Sequence, residues 1–314
     1  MDSLPLVTLV TPSYNQGRFL EAALRSVLEQ DYPRVEYLVY DGGSNDQSQA
    51  ILQRYADRLA YWETAPDRGQ AHAINKGLAR SRGELLGWLN SDDVLAPGAL
   101  RRAVEALQAN PQVDVVYGRL VRIDEQGRRL PTPVLPKDRL TYGLERVIGE
   151  CIVNQPGALW RRGVMERVGL LDERLRYNLD YEYWMRIAVN GGRFLRLDDT
   201  LALFRLSRES KTVGQAAEMA LEQLDTLERL LAQPDLPERL GLAPEQVRRQ
   251  ARYARAVIGL HACYGFLKQR RWRAAAGWLG YAAARDPALL FDRRWRDLLQ
   301  AGIKRRLERP KPGS

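Results

Sequence analysis

The sequence predicts an α/β fold, in which a mostly parallel sheet flanked by helices is followed by an all-helical segment. Short apolar strands alternate with amphipathic helices over about the first hundred residues. Acidic residues directly follow several of these strands, where open α/β sheets place their ligands. From residue 213 the pattern is helical throughout. These observations divide the chain into a domain of residues 1–212 and a helical region of residues 213–314.

Two strand–helix units open the chain. The predicted strands are Val7–Thr11 and Val35–Tyr40, and the predicted helices are residues 19–28 and 50–55. Both strands are rich in β-branched and apolar residues, and a cluster of turn-forming residues follows each of them. The β-α-β-α order favours parallel strands joined by right-handed crossovers.

Two further strands follow in the same pattern. The third, Leu59–Trp62, leads through a polar loop into a helix with apolar residues over 73–78. The fourth, Leu85–Leu89, is a buried apolar run that ends in Asn90-Ser91-Asp92-Asp93. A helix over residues 100–107 comes next.

The second half of the domain is less regular. Strands are predicted at residues 113–117, 120–123, 193–197 and 201–206, with a short strand or turn at 154–160. A proline-rich connection at 131–136 interrupts the pattern, and a helix opens at Asn178 and continues to Ala188.

The helical region contains predicted helices at 219–231, 243–268 and 272–285, with a further helix from Pro287 onward. The pair Ala251–Lys268 and Trp272–Arg285 resembles a single tetratricopeptide-like hairpin. One such unit cannot bury its own apolar face. We therefore expect the hairpin to pack on the preceding domain, on its neighbours in this segment or on a partner.

Residues 291–311 set a strongly basic face against an apolar stripe. This pattern is typical of a helix that lies on an anionic membrane, and peripheral membrane contact is one of two interpretations of it. The alternative is a stripe that packs on the hairpin and leaves a solvated basic face.

Composition limits the chemistry. A net charge of +9 favours anionic partners, which could be nucleic acid, phosphorylated substrates or an acidic membrane surface. Two distant cysteines and two histidines argue against a disulfide framework or a histidine-rich zinc site. No apolar run approaches the roughly 20 residues of a membrane span. The first residues lack a secretory signal, so we expect a cytoplasmic protein.

Asp41, Asp67, Asp92 and Asp93 each come directly after a predicted parallel strand or its short loop. Carboxylates that converge at one edge of a sheet repel one another unless a cation lies between them. A Mg²⁺ or Mn²⁺ ion, bound by one or two carboxylates and substrate phosphate oxygens, would meet that need. The alternative for Asp92 and Asp93 is turn and capping chemistry before a helix that starts at Pro97. Neither a GxGxxG nor a GxxxxGK[ST] motif occurs at the strand ends, which argues against dinucleotide and P-loop sites.

Five motifs occur in order over residues 5–212. They are Thr11-Pro12-Ser13-Tyr14-Asn15, Asp41-Gly42-Gly43-Ser44-Asn45-Asp46, Gly69-Gln70 with Ala73-Ile74-Asn75-Lys76-Gly77, Leu89-Asn90-Ser91-Asp92-Asp93, and Asp180-Tyr181-Glu182-Tyr183-Trp184 followed by Arg186. In this combination the sequence resembles the family 2 glycosyltransferases of GT-A type. The resemblance implies an inverting transferase that uses Mg²⁺ or Mn²⁺ and a nucleoside diphosphate sugar donor. It also implies a saccharide or lipid-linked acceptor, as in cell-surface or exopolysaccharide synthesis.

The resemblance assigns roles on the donor side. Pro12 and Tyr14 shape the pocket for the nucleotide base, and Asp41 accepts a hydrogen bond from the base. Asp92 contacts the ribose, and Asp93 binds the metal that bridges the diphosphate.

Asp67 and Asn75 are implied as supporting donor contacts. The alternative for Asp67 is an Asx turn after Pro66. The alternative for Tyr14 is ordinary packing in the core.

In the family, the base that takes the acceptor's proton is the aspartate directly before an aromatic-acidic-aromatic stretch. The resemblance assigns this role to Asp180. Leu179 stands where many relatives carry glutamate, and Glu182 is the second choice for the base. An N-cap of the following helix is the alternative role for Asp180, and it would not exclude catalysis.

Ser207 stands where related proteins often carry histidine. Arg205 and Lys211 therefore become the expected electrostatic partners of the leaving diphosphate. The alternative is a solvated basic strand end. Gln155 and Trp160 lie where the family builds its acceptor side, and a tryptophan buried in the core is the alternative.

Two rival functions stand beside the transferase. One is a partner- or nucleic-acid-binding protein that uses the basic tail, but an acidic pocket repels phosphate, so we expect no nucleic acid. The other is nucleotidyl transfer on a similar fold. That reaction would want a glycine-rich basic loop early in the chain, where only Gly17 and Arg18 are present.

Overall fold

The structure is a computed structural model and describes residues 4–131, 153–207 and 215–291. The described residues divide into two compact units. The sheet unit contains residues 4–131 and 153–207, and the helical unit contains residues 215–291.

The sheet unit alternates strands and helices along its first half, as predicted. Its strands are β1 Val7–Ser13, β2 Val35–Asp41, β3 Tyr61–Thr64, β4 Leu85–Trp88, β5 Val94–Leu95, β6 Val115–Ile123, β7 Leu159–Arg161 and β8 Phe194–Arg205. Its helices are α1 Gly17–Leu28, α2 Ser48–Tyr55, α3 Gln70–Arg80, α4 Ala99–Ala109, α5 Arg162–Val168 and α6 Leu179–Val189, with a 3₁₀ turn at Ala56–Arg58.

Within the described residues, the strands form one sheet in the order β3-β2-β1-β4-β7-β6-β8-β5. The β3, β2, β1 and β4 strands run parallel, as do β6 and β8. The short β7 strand is antiparallel to both of its neighbours, and β5 is antiparallel to β8. The predicted α/β class with a mostly parallel sheet is therefore confirmed.

Burial in the core explains why the first strands are rich in β-branched and apolar residues. Every residue of β1 is buried because helices cover the sheet. The apolar face of α1 packs into the same core through Leu20, Ala23, Leu24 and Val27. At Gly77 a Cβ atom would lie 2.4 Å from Val10 Cγ1, so glycine lets α3 lie directly on β1.

Several elements differ from the sequence prediction. Residues 115–123 form one strand where two were predicted, and residues 194–205 likewise form one strand. The two long strands pair with each other, with an irregular register around Gly118. A Cβ atom at Gly118 would lie 2.4 Å from Leu201 Cγ. The apparent breaks in the apolar pattern therefore reflect close packing between these strands.

Two short elements of the sheet unit were not predicted. The β5 strand directly follows Asn90-Ser91-Asp92-Asp93, which we call the acidic turn, and α5 follows β7. Both are too short to show a periodic apolar pattern.

The helical unit contains α7 Ala216–Leu231, α8 Leu236–Leu240, α9 Pro244–Lys268 and α10 Trp272–Arg285, with a 3₁₀ turn at Pro287–Phe291. The predicted hairpin is present as α9 and α10. Its buried core consists of Ala256, Val257, Leu260, Ala282 and Leu289. The hairpin also packs on α7, where a Cβ atom at Gly265 would lie 2.4 Å from the backbone nitrogen of Ala217.

Three predicted features lie outside the described residues. They are the proline-rich connection after Pro131, the residue Lys211, and the basic tail from residue 292 onward. The membrane prediction for residues 291–311 therefore rests on the sequence alone. Within the described ranges, no helix combines the length and the apolar character needed to cross a membrane.

Candidate functional site

The loops that follow β1 and β2 are joined by hydrogen bonds. The Asn15 amide donates to Ser44 Oγ at 2.7 Å, and the Asn45 amide donates to Asn15 Oδ1 at 3.0 Å. The Gly17 amide at the start of α1 donates to Asp46 Oδ2 at 2.8 Å. Asn15 adopts a left-handed backbone conformation with a φ of 52°, which asparagine tolerates better than most residues. The two strand ends are therefore fixed against each other.

Pro12 lies near the end of β1, and Tyr14 directly follows the strand. Pro12 is buried, whereas the Tyr14 side chain is 63% exposed. The core-packing alternative for Tyr14 is therefore wrong. An exposed aromatic ring beside fixed loops is available to stack on a planar ligand.

Asp41 ends β2 and is almost completely buried. One carboxylate oxygen accepts a hydrogen bond from Ser44 Oγ at 2.6 Å. The other accepts hydrogen bonds from the Ser44 amide at 2.8 Å and from the Thr64 hydroxyl. Asp41 thus holds the loop after β2 on the end of β3, and both of its oxygens already have donors.

Asp67 lies in the loop between β3 and α3. Its Oδ1 accepts a hydrogen bond from the Gly69 amide at 2.7 Å, which is the Asx turn considered as an alternative. Its Oδ2 lies over Gly42, where a Cβ atom would come within 2.9 Å. The carboxylate of Asp67 is therefore brought against the backbone next to Asp41.

The acidic turn after β4 contains two carboxylates in different surroundings. Asp93 is 0% exposed, and its oxygens accept hydrogen bonds from the Arg205 amide at 3.1 Å and from Asn90 Nδ2 at 3.3 Å. Burial, and then the charge of Asp92, raise the pKa of Asp93 well above its usual value. Asp92 is only half-buried. The structure thus places one carboxylate inside the turn and the other at its surface.

Arg205 ends β8 and donates hydrogen bonds to the acidic turn and to residues 124 and 125. Its Nε donates to the carbonyl oxygen of Asp92 at 2.9 Å, and Nη1 donates to the carbonyl oxygens of Asp124 at 3.0 Å and Glu125 at 3.2 Å. The guanidinium also stacks on Phe19, 4.7 Å from the ring centroid. Burial lowers the pKa of Arg205. The alternative of a solvated basic strand end is therefore wrong for Arg205.

Asn90 links several parts of the candidate site, and the sequence analysis assigned it no role. Its Oδ1 accepts a hydrogen bond from Gln70 Nε2 at 2.8 Å, and its Nδ2 lies between Asp93 Oδ2 and Gln155 Oε1. The Gln155 amide in turn donates to the carbonyl oxygen of Trp88 at 2.7 Å. The signal that could have identified Asn90 is its place at the end of the same buried strand.

Trp160 was predicted on the acceptor side, with core burial as the alternative, and the structure corrects the prediction. The side chain is 0% exposed. Its ring packs edge-on against Trp88 at 5.4 Å and Trp184 at 5.7 Å between centroids. A ring enclosed by other aromatic rings has no face left for a sugar. Gln155 is also buried, but it contacts the acidic turn through Asn90.

Asp180 lies in the first turn of α6, and Asn178 is the N-cap residue. The capping alternative for Asp180 is therefore wrong. Its Oδ1 accepts a hydrogen bond from the Tyr181 amide at 2.8 Å, and its side chain is half-buried. In Glu182, one residue beyond Tyr181, both carboxylate oxygens accept hydrogen bonds from Arg186, at 2.8 and 2.7 Å.

Asn75, expected to support the donor, instead contacts protein atoms. Its Nδ2 donates to the carbonyl oxygen of Leu171 at 2.9 Å and to Glu173 Oε1 at 3.1 Å. Its Oδ1 accepts a hydrogen bond from the Leu171 amide at 2.9 Å. The buried Asn75 side chain is thus used to hold the segment that precedes α6.

The donor atoms of the acidic turn fit a hard divalent cation. Among the described residues, no group of three or more histidine, cysteine or acidic side chains forms a metal site by itself. Mg²⁺ and Mn²⁺ sites completed by substrate phosphates need only one or two carboxylates. The turn offers the adjacent carboxylates of Asp92 and Asp93. Burial and the charge of Asp92 raise the pKa of Asp93, so a cation beside the pair would favour its charged form.

The chain matches known protein sequences over most of the sheet unit. Residues 8–169, more than half of the chain, match the family model described as glycosyl transferase family 2. An uncharacterized glycosyltransferase of Rickettsia typhi is 28% identical over 236 residues, which cover 72% of this chain and 70% of that protein. An uncharacterized glycosyltransferase of Mycobacterium tuberculosis is 32% identical over 196 residues, covering 60% of this chain and 71% of that protein.

Solved structures share the fold. The mannosyltransferase PcManGT from Pyrobaculum calidifontis, in complex with GDP-Man and Mn²⁺, superposes with a TM-score of 0.65 at 22% identity, covering 98% of this chain and 88% of that one. TarS from S. aureus, in complex with UDP-GlcNAc, superposes with a TM-score of 0.58 at 16% identity, covering 90% of this chain and 91% of that one. The predicted GT-A type fold is therefore confirmed.

Proposed function

Because the chain belongs to glycosyl transferase family 2, we propose that it is an inverting, metal-dependent enzyme that moves a sugar from a nucleoside diphosphate sugar to an acceptor hydroxyl. The proposed acceptor is a saccharide or a lipid-linked saccharide of the cell surface. The observation that carries this proposal is the acidic turn, where Asp92 and Asp93 lie at a strand end beside the fixed loops after β1 and β2.

On the donor side, Tyr14 stacks on the base, and Asp41 and Asp67 shape the pocket wall. The sequence analysis assigned the ribose to Asp92 and the metal to Asp93, and the different burial of the two carboxylates leads us to propose another division. Since Asp92 is the half-exposed carboxylate, we assign it the direct contact with the ion and the donor, with the buried Asp93 supporting it from behind. The bound ion would neutralise charge on the diphosphate as it leaves. The Mn²⁺ and GDP-Man bound to PcManGT support a metal and a donor of this class.

The proposed base is Asp180. The acceptor oxygen forms a bond to the anomeric carbon while the bond from that carbon to the diphosphate oxygen breaks, and Asp180 takes the hydroxyl proton. One displacement of this kind inverts the configuration at the anomeric carbon. Glu182 is less suited to the role because both of its oxygens already accept hydrogen bonds from Arg186.

The first test is donor binding. Calorimetric titration of the full chain with UDP-, GDP- and dTDP-sugars in the presence of Mn²⁺ should identify one class that binds. If none of these donors binds with or without Mn²⁺, the proposed function is wrong.

The second test concerns the base. Asp180→Asn should lower turnover about 10³-fold, a typical contribution of a general base, and change the donor Kd less than about twofold. Release of nucleoside diphosphate from the identified donor, with water as acceptor, measures turnover without a known acceptor. Glu182→Gln serves as the matched control and should lose much less activity. The reverse ranking of the two variants would transfer the base to Glu182.

A further inference from the structure

The α3 helix contacts both halves of the site. At its first residue, Gln70 Nε2 donates to Asn90 Oδ1 in the acidic turn at 2.8 Å. Five positions later, Asn75 binds Leu171 and Glu173, which lie in the segment leading to Asp180. The helix itself is fixed on the sheet, because Gly77 lies against Val10 and Lys76 forms an ion pair with Glu63.

The contact between Asn75 and Leu171 is two-way. The side-chain amide both donates to and accepts from the Leu171 backbone, at 2.9 Å in each direction, as a neighbouring β-strand would. Asn75 is only 6% exposed, and Leu171 is also buried. Removing either partner would leave buried polar groups without hydrogen bonds, which is costly. The position of Leu171 is therefore set by α3.

Glu173 extends this contact to the donor-side loop. Its Oε1 accepts a hydrogen bond from Asn75, and its Oε2 accepts two from Arg68, at 2.6 Å from Nη2 and 3.1 Å from Nε. Burial alone would raise the pKa of Glu173, but the hydrogen bonds from Asn75 and Arg68 outweigh it and lower the pKa. Arg68 follows Asp67 directly, so the pair ties the loop that carries Asp67 to the segment before α6.

We propose that α3 and Arg68 form a positioning element that keeps Asp180 correctly placed relative to the bound donor. Asn75 acts through Leu171 without touching the substrate. This inference rests on the proposed transferase function and replaces the donor contact expected for Asn75. The α6 helix begins eight residues after Leu171, so a shift of the segment moves the base. Misplacement of a reacting group by about 1 Å can cost about 100-fold in rate.

The two roles predict different kinetics. A donor contact would weaken donor binding when it is removed, whereas a positioning residue would lower turnover and leave donor affinity nearly unchanged. Arg68→Ala is the main variant because that side chain is 69% exposed, so its loss should not prevent folding. We expect a turnover about fivefold lower with less than a twofold change in donor Kd.

A double-mutant cycle tests whether Arg68 and Glu173 act through each other. Glu173→Gln keeps an acceptor for Asn75 and removes the charge that Arg68 binds. If both residues act through one contact, the double variant Arg68→Ala/Glu173→Gln should have a turnover no lower than that of the slower of the two single variants. Asn75→Asp keeps an acceptor for the Leu171 amide but loses both donated hydrogen bonds, and it should be the slowest of the series.

Hydrogen exchange on the full chain without any donor provides a readout independent of catalysis. The Leu171 amide should exchange at least about tenfold faster in Asn75→Asp and Arg68→Ala than in the unmodified protein. Arg80→Ala is the matched control, since Arg80 lies on the same helix but stacks on Tyr61 at 3.9 Å from its ring centroid. It should leave this exchange unchanged.

Two results would overturn the positioning role: unchanged exchange at Leu171 in both variants, or donor affinity that falls in proportion to turnover. If no nucleoside diphosphate sugar binds the unmodified protein, the proposed function fails. The exchange measurement still decides whether Arg68 and Asn75 hold the segment, so the two failures are distinguishable.

Discussion

The two units bury polar side chains in different ways. In the sheet unit, several buried polar residues lie at or just after strand ends and bind distant parts of the chain. Asp41 at the end of β2 accepts a hydrogen bond from Thr64, and Asp93 after β4 accepts one from the amide of Arg205 at the end of β8. Gln155, in the loop before β7, donates to the carbonyl oxygen of Trp88. Within residues 215–291, the buried polar residues are Gln223 and Thr226, and the hairpin core is formed by alanine and aliphatic side chains.

The two kinds of burial differ in their free-energy cost. Burying a polar group is unfavourable unless every hydrogen bond is replaced, and burying a charge is more so. A buried carboxylate with a raised pKa, such as Asp93, contributes nothing to packing that an apolar residue could not supply better. A buried carboxylate of this kind fits the proposed donor site in the sheet unit, whereas the described core of the helical hairpin consists of alanine and aliphatic side chains.

The strongest way to test this contrast is Asp93→Asn. Loss of the carboxylate should weaken donor binding in the presence of Mn²⁺ by about 100-fold, in the range seen when support around a metal site is removed. The Tm at pH 8 should stay equal or rise, because the variant no longer buries a disfavoured charge. Calorimetry measures both quantities. A large fall in Tm with donor binding intact would show that Asp93 serves stability and not binding, which contradicts the difference drawn between the two units.

The pH dependence of this variant has a definite sign. A carboxyl group whose pKa is raised on folding contributes stability at low pH, and that contribution is lost as the pH rises through the raised pKa. The Tm difference between Asp93→Asn and the unmodified protein should therefore increase with pH above 3.8. Asp46 is the matched control. Burial opposes the charge of Asp46, but hydrogen bonds from Ser48 and Gly17 outweigh it and lower its pKa, so Asp46→Asn should lose stability at neutral pH.

Close packing in the helical unit leads to a prediction at Gly265. In most helix interiors, glycine to alanine stabilises by about 1 kcal/mol. At Gly265 the new Cβ would lie 2.4 Å from the Ala217 backbone nitrogen, so α7 and α9 would have to separate. Overpacking of this kind costs about 1–3 kcal/mol, so we expect Gly265→Ala to be destabilising on balance.

The matched control is Gly277→Ala in α10. A Cβ atom at Gly277 meets nothing within 4 Å, so this variant should be stabilised by about 0.5–1 kcal/mol. Denaturant unfolding compares the two variants. Neither should change the donor Kd more than about twofold if donor binding belongs to the sheet unit. Stabilisation by Gly265→Ala would show that the α7–α9 contact is loose.

How far the sequence predicts each region follows from the range of the interactions involved. The α10 helix has the predicted bounds because its apolar spacing is a local property. The acidic turn was also identified locally, from residue type and its place after a strand. Strands β6 and β8 were each predicted as two because their continuity comes from pairing with each other.

The surroundings of two predicted site residues depend on distant partners. Asn75 matches the family motif, but the motif does not predict its hydrogen bond to Leu171, 96 positions later. Trp160 is buried because Trp88 and Trp184 surround it. A motif reports which side chains are present near a site, whereas burial and hydrogen-bond partners decide which of them face the ligand.

The smallest expected effect concerns the ion pair that joins α7 and α9. Arg255 donates two hydrogen bonds of 2.6 Å to Glu228, and these hydrogen bonds lower the pKa of Glu228. The Glu228 side chain is still 44% exposed, so water and salt screen the pair. Glu228→Gln should therefore lower the free energy of unfolding at pH 7 by only about 0.5–1 kcal/mol.

The pH dependence separates charge from packing at this contact. A lowered glutamate pKa contributes stability above its ordinary value of 4.5, and that stability is lost as the pH falls through the lowered value. The difference between Glu228→Gln and the unmodified protein should shrink below pH 4.5 and vanish in an Arg255→Met background. An equal loss at pH 3 and pH 7 would instead show that the helical unit depends on the shape of this side chain. In that case the two units would differ less in their use of charge than the buried residues indicate.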